Sequence, residues 1–180
     1  MIFKLNVDDF NGLSIADVKN VLDQSYKKPL SEILLFDLLV DEEKNEGLRH
    51  GVYMYFNDKN ECVYIGKCSS SHFAHRIGGH FGMSPKYGMN TFLKRAVEKL
   101  GLKYKDKDKA YQGYVEALPI IANYELLIIN SNRKGNKFIS SLEKVLHITY
   151  RPELNFPKSY PKTYKAIADN AVFIEEVKKL

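Results

Sequence analysis

Six residues of this 180-residue chain carry side chains fit for chemistry: Tyr53, Tyr64, Arg76, His80, Glu143 and Asn155. Two phenols, a guanidinium, an imidazole, a carboxylate and an amide together supply hydrogen-bond donors, a fixed positive charge, a group that titrates near neutrality and a hard oxygen ligand. The tyrosines stand in "GVYMYFNDKNECVYIGK", residues 51 to 67, where two short apolar-aromatic runs flank a polar break. Arg76 and His80 are four apart, so on a helix they project from one face. Glu143 sits at the edge of the apolar stripe Phe138, Ile139, Leu142, Val145 and Leu146. A carboxylate there is ordinarily a solvated flank. Its company singles it out.

The elements that must position these residues follow from pattern. Residues 52–56 and 62–66 read as strands joined by Asn57-Asp58-Lys59-Asn60-Glu61, a run of turn formers. Alternation puts Val52, Met54 and Phe56 on one side with Val63 and Ile65, and groups Tyr53, Tyr55 and Tyr64 on the other. The first side makes the core, and the tyrosines keep hydroxyls to place. A short helix from about residue 71 carries Arg76 and His80, weakened by Gly78 and Gly79. Residues 90–100 form an amphipathic helix with Phe92, Leu93, Ala96, Val97 and Leu100 inward, stopped by Gly101. After the charged linking stretch 103–113, "NYELLIIN" is a third strand, central or covered on both faces. A helix from about 137 to 150 carries Glu143 and ends at Arg151-Pro152.

Residues 1–48 read as a separate helical extension. Ser14 and Asp17 form a capping box ahead of Ile15, Val18, Val21 and Leu22, and a second helix runs from 31 to 42. The charged "DEEKNEGLRHG" marks the boundary to a domain spanning 49–157. Residues 158–180 supply a C-terminal helix over "KTYKAIADNAVFIEEVKKL". There is no internal repeat and no low-complexity tract.

Composition narrows the classes. An apolar fraction of 44% excludes disorder. A net charge of +5 and a pI near 9.0 suit a polyanion partner. The N-terminal "MIFKLNVDDFNGLS" is not a signal peptide, and "EILLFDLLV" is too short to span a bilayer, so a soluble, cytoplasmic protein without a membrane partner is expected. Cys62 and Cys68 are too few for a disulfide framework. With His72, His75 and His80 they offer zinc-like donors, but the spacing lacks paired knuckles. His50 and His147 read as surface histidines without a role.

"GVY" at 51–53 and "YIG" at 64–66, ten residues apart, resemble the signature of the GIY-YIG nuclease family. The resemblance continues in order through Arg76, His80, Glu143 and Asn155 and covers about residues 49–157. Val52 replaces the family's Ile, a small change at a core-facing position. The resemblance implies an α+β fold: a small three-stranded antiparallel sheet flanked by helices. It implies a DNA endonuclease that hydrolyses phosphodiester bonds with one divalent cation, Mg²⁺ or Mn²⁺. By the same resemblance Glu143 is the metal ligand, Arg76 grips the scissile phosphate, Tyr53 and Tyr64 position water or phosphate, and Asn155 orients the site. Tyr53 and His80 are alternative proton acceptors. Gly66 lets the backbone approach closely.

Lys67 follows the second motif and is shared with repair-type members of that family. Lys67, Lys86 and Arg95 are expected on the DNA path, with Lys94, Arg133 and Lys134 as further candidates. Target recognition would sit in the N- and C-terminal additions and in the stretch between His80 and Val115. A homodimer is the arrangement that would cut both strands. Two rival readings are a non-catalytic DNA-binding module of the same fold and an α+β domain that binds another protein. Convergence of Tyr53, Tyr64, Arg76, His80 and Glu143 separates the last from the first two.

Overall fold

A computed structural model describes residues 3–42, 44–84, 88–102 and 107–180. In chain order the elements are β1 (Lys4–Asn6), α1 (Ile15–Gln24), β2 (Lys28–Pro29), β3 (Val40–Asp41), β4 (Glu46–Gly47), β5 (Gly51–Phe56), β6 (Cys62–Cys68), α2 (Phe73–His80), β7 (Met83–Ser84), β8 (Gly88–Met89), α3 (Thr91–Lys99), α4 (Lys107–Ile121), β9 (Glu125–Asn130), α5 (Asn136–Tyr150) and α6 (Phe173–Lys179). The architecture is α+β. No described helix is long and apolar enough to cross a membrane.

The main sheet has five strands and is mixed, which corrects the expected three-stranded antiparallel sheet. β9, β5 and β6 pair antiparallel in that order. On the free side of β9, β1 adds in parallel at Ile128–Asn130 and β2 adds antiparallel at Glu125–Leu126. The apolar β9 would otherwise present an unpaired edge, and the N-terminal segment closes it.

Both faces of the sheet are buried, so the tyrosine side is a core in its own right. One core joins Val52, Met54, Phe56, Ile65, Leu127 and Ile129 to α1, α5 and α6. The other joins Tyr53, Tyr55, Tyr64, Leu126 and Ile128 to Phe73, Phe92, Ala96 and Ala117 on α2, α3 and α4. Val63 belongs to the tyrosine core, against the alternation expected for it. A bulge shifts the register, pairing Tyr55 with Tyr64 but Phe56 with Cys62, so Val63 is the extra residue.

Three helix expectations are corrected. Residues 31–42 form two single 3₁₀ turns and then β3 instead of a helix. The Leu30 and Ser31 amides donate to the Tyr124 and Ala122 carbonyls, and Asp37 accepts from both Leu34 N–H and Lys28 Nζ. Of the charged stretch 103–113, residues 107–113 are the start of α4, while 103–106 lie outside the described residues. The C-terminal helix is confined to Phe173–Lys179. The carbonyls of Asp169 and Ala171 accept from the Ala16 and Ile15 amides, capping the start of α1, and Ser14 bridges Val172. Those bonds fix an extended path where the sequence alone favours helix.

Candidate active site

Tyr53 on β5 faces Gly66 on the neighbouring edge strand β6, and its ring lies across that glycine. A Cβ at position 66 would stand 2.3 Å from the Tyr53 hydroxyl oxygen and 2.4 Å from Cζ. The absence of a side chain is therefore what admits the phenol, so the space expected to allow a close backbone approach at Gly66 is taken up by the Tyr53 ring. Tyr64, two residues earlier on β6, packs its ring 6.3 Å from that of Tyr53, and Tyr55 stacks on Tyr64 at 5.8 Å.

α2 brings the next two groups. Phe73 and Ile77 seat it in the tyrosine core, so His80 arrives buried and Arg76, one turn earlier, stays exposed at the rim. His80 Nε2 is hydrogen-bonded to the Tyr53 hydroxyl. Its ring stands 5.5 Å from Tyr53 and 5.1 Å from Tyr64, and its buried Nδ1 has no hydrogen-bond partner among the described residues.

α5 belongs to the other helical layer, and its Glu143 is tied to the edge strand β6 through Lys67. Lys67 Nζ lies 3.0 Å from a Glu143 carboxylate oxygen, and both side chains are partly exposed. Five residues from β5, β6, α2 and α5 thus share one field. Burial raises the pKa of Tyr53, with Tyr64 adding to it and Arg76 opposing, and the Glu143 carboxylate raises it further. Tyr64 rises through burial against the pull of Arg76, again with Glu143 adding to it. Burial and then the Arg76 charge lower His80 to about 4, with Asn90 a weaker opposing contact. Arg76 resists burial because Tyr53, then Tyr64 and Glu143, favour its charged form. At neutral pH both phenols are therefore protonated and His80 is neutral. Either the Tyr53 hydroxyl or His80 Nε2 is the donor across their hydrogen bond, according to the imidazole tautomer.

Asn155 lies at the same edge but faces backbone. Its Oδ1 accepts from Ile65 N–H at 2.7 Å and its Nδ2 donates to Ile65 C=O at 2.8 Å. With Leu154 N–H donating to Val63 O at 3.0 Å, it pairs the outer edge of β6 as a strand would. Arg95 Nη1 donates to the Leu154 and Asn155 carbonyls at 2.9 and 3.1 Å, so this expected DNA contact is engaged in holding the same loop. Lys134 pairs with Asp8 at 2.7 Å, and Arg133 stands 4.0 Å from Glu46. Lys86 lies outside the described residues.

His147 is a miss of the sequence reading, which placed it on a surface. It is buried one turn beyond Glu143, its Nε2 is 3.3 Å from Ile65 O, and burial lowers its pKa while Glu143 opposes. Its membership of the Ile139–Leu146 side of α5 was the available signal. Tyr164 is a second miss: it stacks on His147 at 6.3 Å, and both Glu143 and Lys67 act on its hydroxyl.

Among the described residues no three His, Cys, Asp or Glu side chains come together as a metal cage. Cys62 and Cys68 are free thiols, and Cys68 Sγ donates to Ser71 O. Glu143 is one partly exposed carboxylate beside two phenols. That set fits a hard dication that keeps its waters and takes further oxygens from a phosphate, and it does not fit a metal held by protein alone. No family model matches the chain, no curated protein matches it and no solved structure matches it.

Proposed function

We propose that this chain is a divalent-metal-dependent endonuclease of the GIY-YIG kind, hydrolysing phosphodiester bonds of DNA. One observation carries the reading: the Tyr53 hydroxyl is hydrogen-bonded to His80, and Glu143, ion-paired to Lys67 on β6, acts electrostatically on both Tyr53 and Tyr64. The antiparallel trio β9-β5-β6 with α2 and α5 supports the finer fold assignment, with β1 and β2 as additions to that core.

In this proposal Arg76, exposed and charged, grips the scissile phosphate through its planar fork. Tyr53 takes a proton from the attacking water as its own proton passes to His80 Nε2, a step that requires substrate binding to open access to its buried hydroxyl, and the leaving oxygen takes a proton from solvent. Tyr64 donates its hydroxyl to a phosphate oxygen. Glu143 would hold Mg²⁺ or Mn²⁺, which supplies a Lewis acid for the charge that builds on phosphorus. Lys67 then shares Glu143 with the cation or moves to the substrate.

The Lys67–Glu143 pair also favours a second reading, a module that binds nucleic acid without cutting, because an internal cation already balances the carboxylate. Nicking of supercoiled plasmid separates the two. Mg²⁺- or Mn²⁺-dependent nicking that disappears with EDTA and in Glu143→Ala supports the nuclease. Salt-dependent DNA binding by folded protein with no nicking under any divalent cation supports the module.

A further inference from the structure

Residues 156–165 carry a short tandem pattern: Phe156-Pro157-Lys158-Ser159, Tyr160-Pro161-Lys162-Thr163, then Tyr164-Lys165. The period of four over ten residues corrects the reading that the chain lacks an internal repeat. The aromatic positions all turn inward. Phe156, Tyr160 and Tyr164 pack edge to face on one another at 5.3 to 5.8 Å, Phe156 and Tyr164 lie against His147, and the Tyr160 hydroxyl donates to the His147 carbonyl at 3.2 Å. The segment is thereby fastened to α5 one turn beyond Glu143.

With the rings turned in, the lysines between them turn out. Lys158, Lys162 and Lys165 are all exposed. Among the described residues none of the three pairs with a carboxylate, whereas Lys19, Lys28, Lys67, Lys99, Lys134, Lys178 and Lys179 all do. Residues 154–168 contain no Asp or Glu that could balance them. Two more cations lie on the same aromatic cluster: Lys144 Nζ stands 5.5 Å from the centre of Tyr164 and Arg151 4.8 Å from that of Tyr160. On the far side residues 155–159 and α3, with Lys94, line a groove of about 630 Å³. Unbalanced charge held on a fixed scaffold beside the site is what a polyanion backbone needs.

We propose that residues 156–165 form a phosphate-binding ridge that carries the backbone of duplex DNA past Glu143, with Lys158, Lys162 and Lys165 as its contacts. The choice of partner rests on the nuclease reading; the ridge itself rests on the charge pattern and its scaffold.

The test is fluorescence anisotropy with a labelled 30-base-pair duplex in EDTA, titrated across KCl concentrations with wild type and the triple variant K158Q/K162Q/K165Q. Each lost phosphate contact lowers the slope of log K against log salt by about 0.9, so the triple variant loses about 2.7. At 0.15 M salt that corresponds to affinity weaker on the order of a hundredfold. Three exposed side chains leave the circular dichroism spectrum and the urea midpoint unchanged. A control, K19Q/K178Q/K179Q, removes three ion-paired lysines and keeps the wild-type slope. An unchanged slope in the ridge variant, or an equal loss in the control, overturns the ridge. If wild type still nicks plasmid in that case, the nuclease reading stands without it. Wild type that neither binds the duplex nor nicks plasmid overturns both.

Discussion

Gly66→Ala tests whether the Tyr53 ring is placed by the missing side chain beneath it. The added Cβ would lie 2.3 Å from Oη, 2.4 Å from Cζ and 2.9 Å from Cε2. Carbon atoms rest about 3.5–4.0 Å apart, so the phenol must retreat by about 1 Å or more. It has nowhere to go, because the ring is fully buried among Tyr55, Tyr64, Phe73 and His80. Overpacking of this kind is destabilising by about 1–3 kcal/mol, and losing the hydrogen bond to His80 adds about 1 kcal/mol. The expected total is about 2–4 kcal/mol. With a urea slope of about 2 kcal/mol/M, the unfolding midpoint falls by about 1–2 M. The double variant isolates the cause: in a Tyr53→Ala background the clash is gone, so Gly66→Ala becomes nearly neutral. Plasmid nicking disappears in Gly66→Ala even well below its midpoint, since the phenol no longer meets His80. A wild-type midpoint in Gly66→Ala, or the same penalty with and without the Tyr53 ring, refutes the reasoning.

Other outcomes follow from the same site. His80 has a folded pKa of about 4 against 6.5 when unfolded, so the native protein binds fewer protons. Stability is then full above pH 6.5 and drains as pH falls through the window from 6.5 to about 4. Some 2 kcal/mol of it is lost between pH 7.5 and pH 5. Urea midpoints at those two pH values should separate further for wild type than for His80→Gln; equal separations would contradict the burial of a neutral ring. Asn155→Ala strips the partner of the Ile65 N–H and leaves the Ile65 carbonyl to His147 alone; it destabilises by about 1–2 kcal/mol, with faster amide exchange at Ile65 as its specific mark. Tyr53→Phe keeps the ring packing and removes one hydrogen bond, so its stability loss stays near 1 kcal/mol while nicking falls steeply; retained nicking would pass the proton-acceptor role to another group.

How much of this was legible in sequence depends on where each residue's partners lie. The hairpin from Gly51 to Cys68, the stripe of α5 and the capping box at Ser14 were readable because neighbours two to four residues away decide them. Burial of the tyrosine face was not readable, because Phe73, Phe92 and Ala117 cover it from helices that the hairpin's own alternation does not reveal. The helix expected at 31–42 fails for the same reason: Leu30 and Ser31 bond to Tyr124 and Ala122, nearly a hundred residues on. Residue types in order singled out Tyr53, Arg76, His80 and Glu143, but the hydrogen bond of Tyr53 to His80 and the tie of Glu143 to β6 through Lys67 follow from topology. Asn155 shows the limit most clearly, since an amide at that position says nothing of whether it faces a ligand or a peptide bond.

The closure of β6 by Leu154 and Asn155 bears on how two copies could assemble. With the outward groups of Val63 and Ile65 already answered, the strand offers only a shortened template for a neighbouring sheet, which disfavours joining two molecules by continuing one sheet into the next along this side. Helical surfaces are then the more open route to pairing, and each copy would bring its own Glu143, ion-paired to Lys67. The loop that finishes the sheet thus also steers assembly away from the β6 edge.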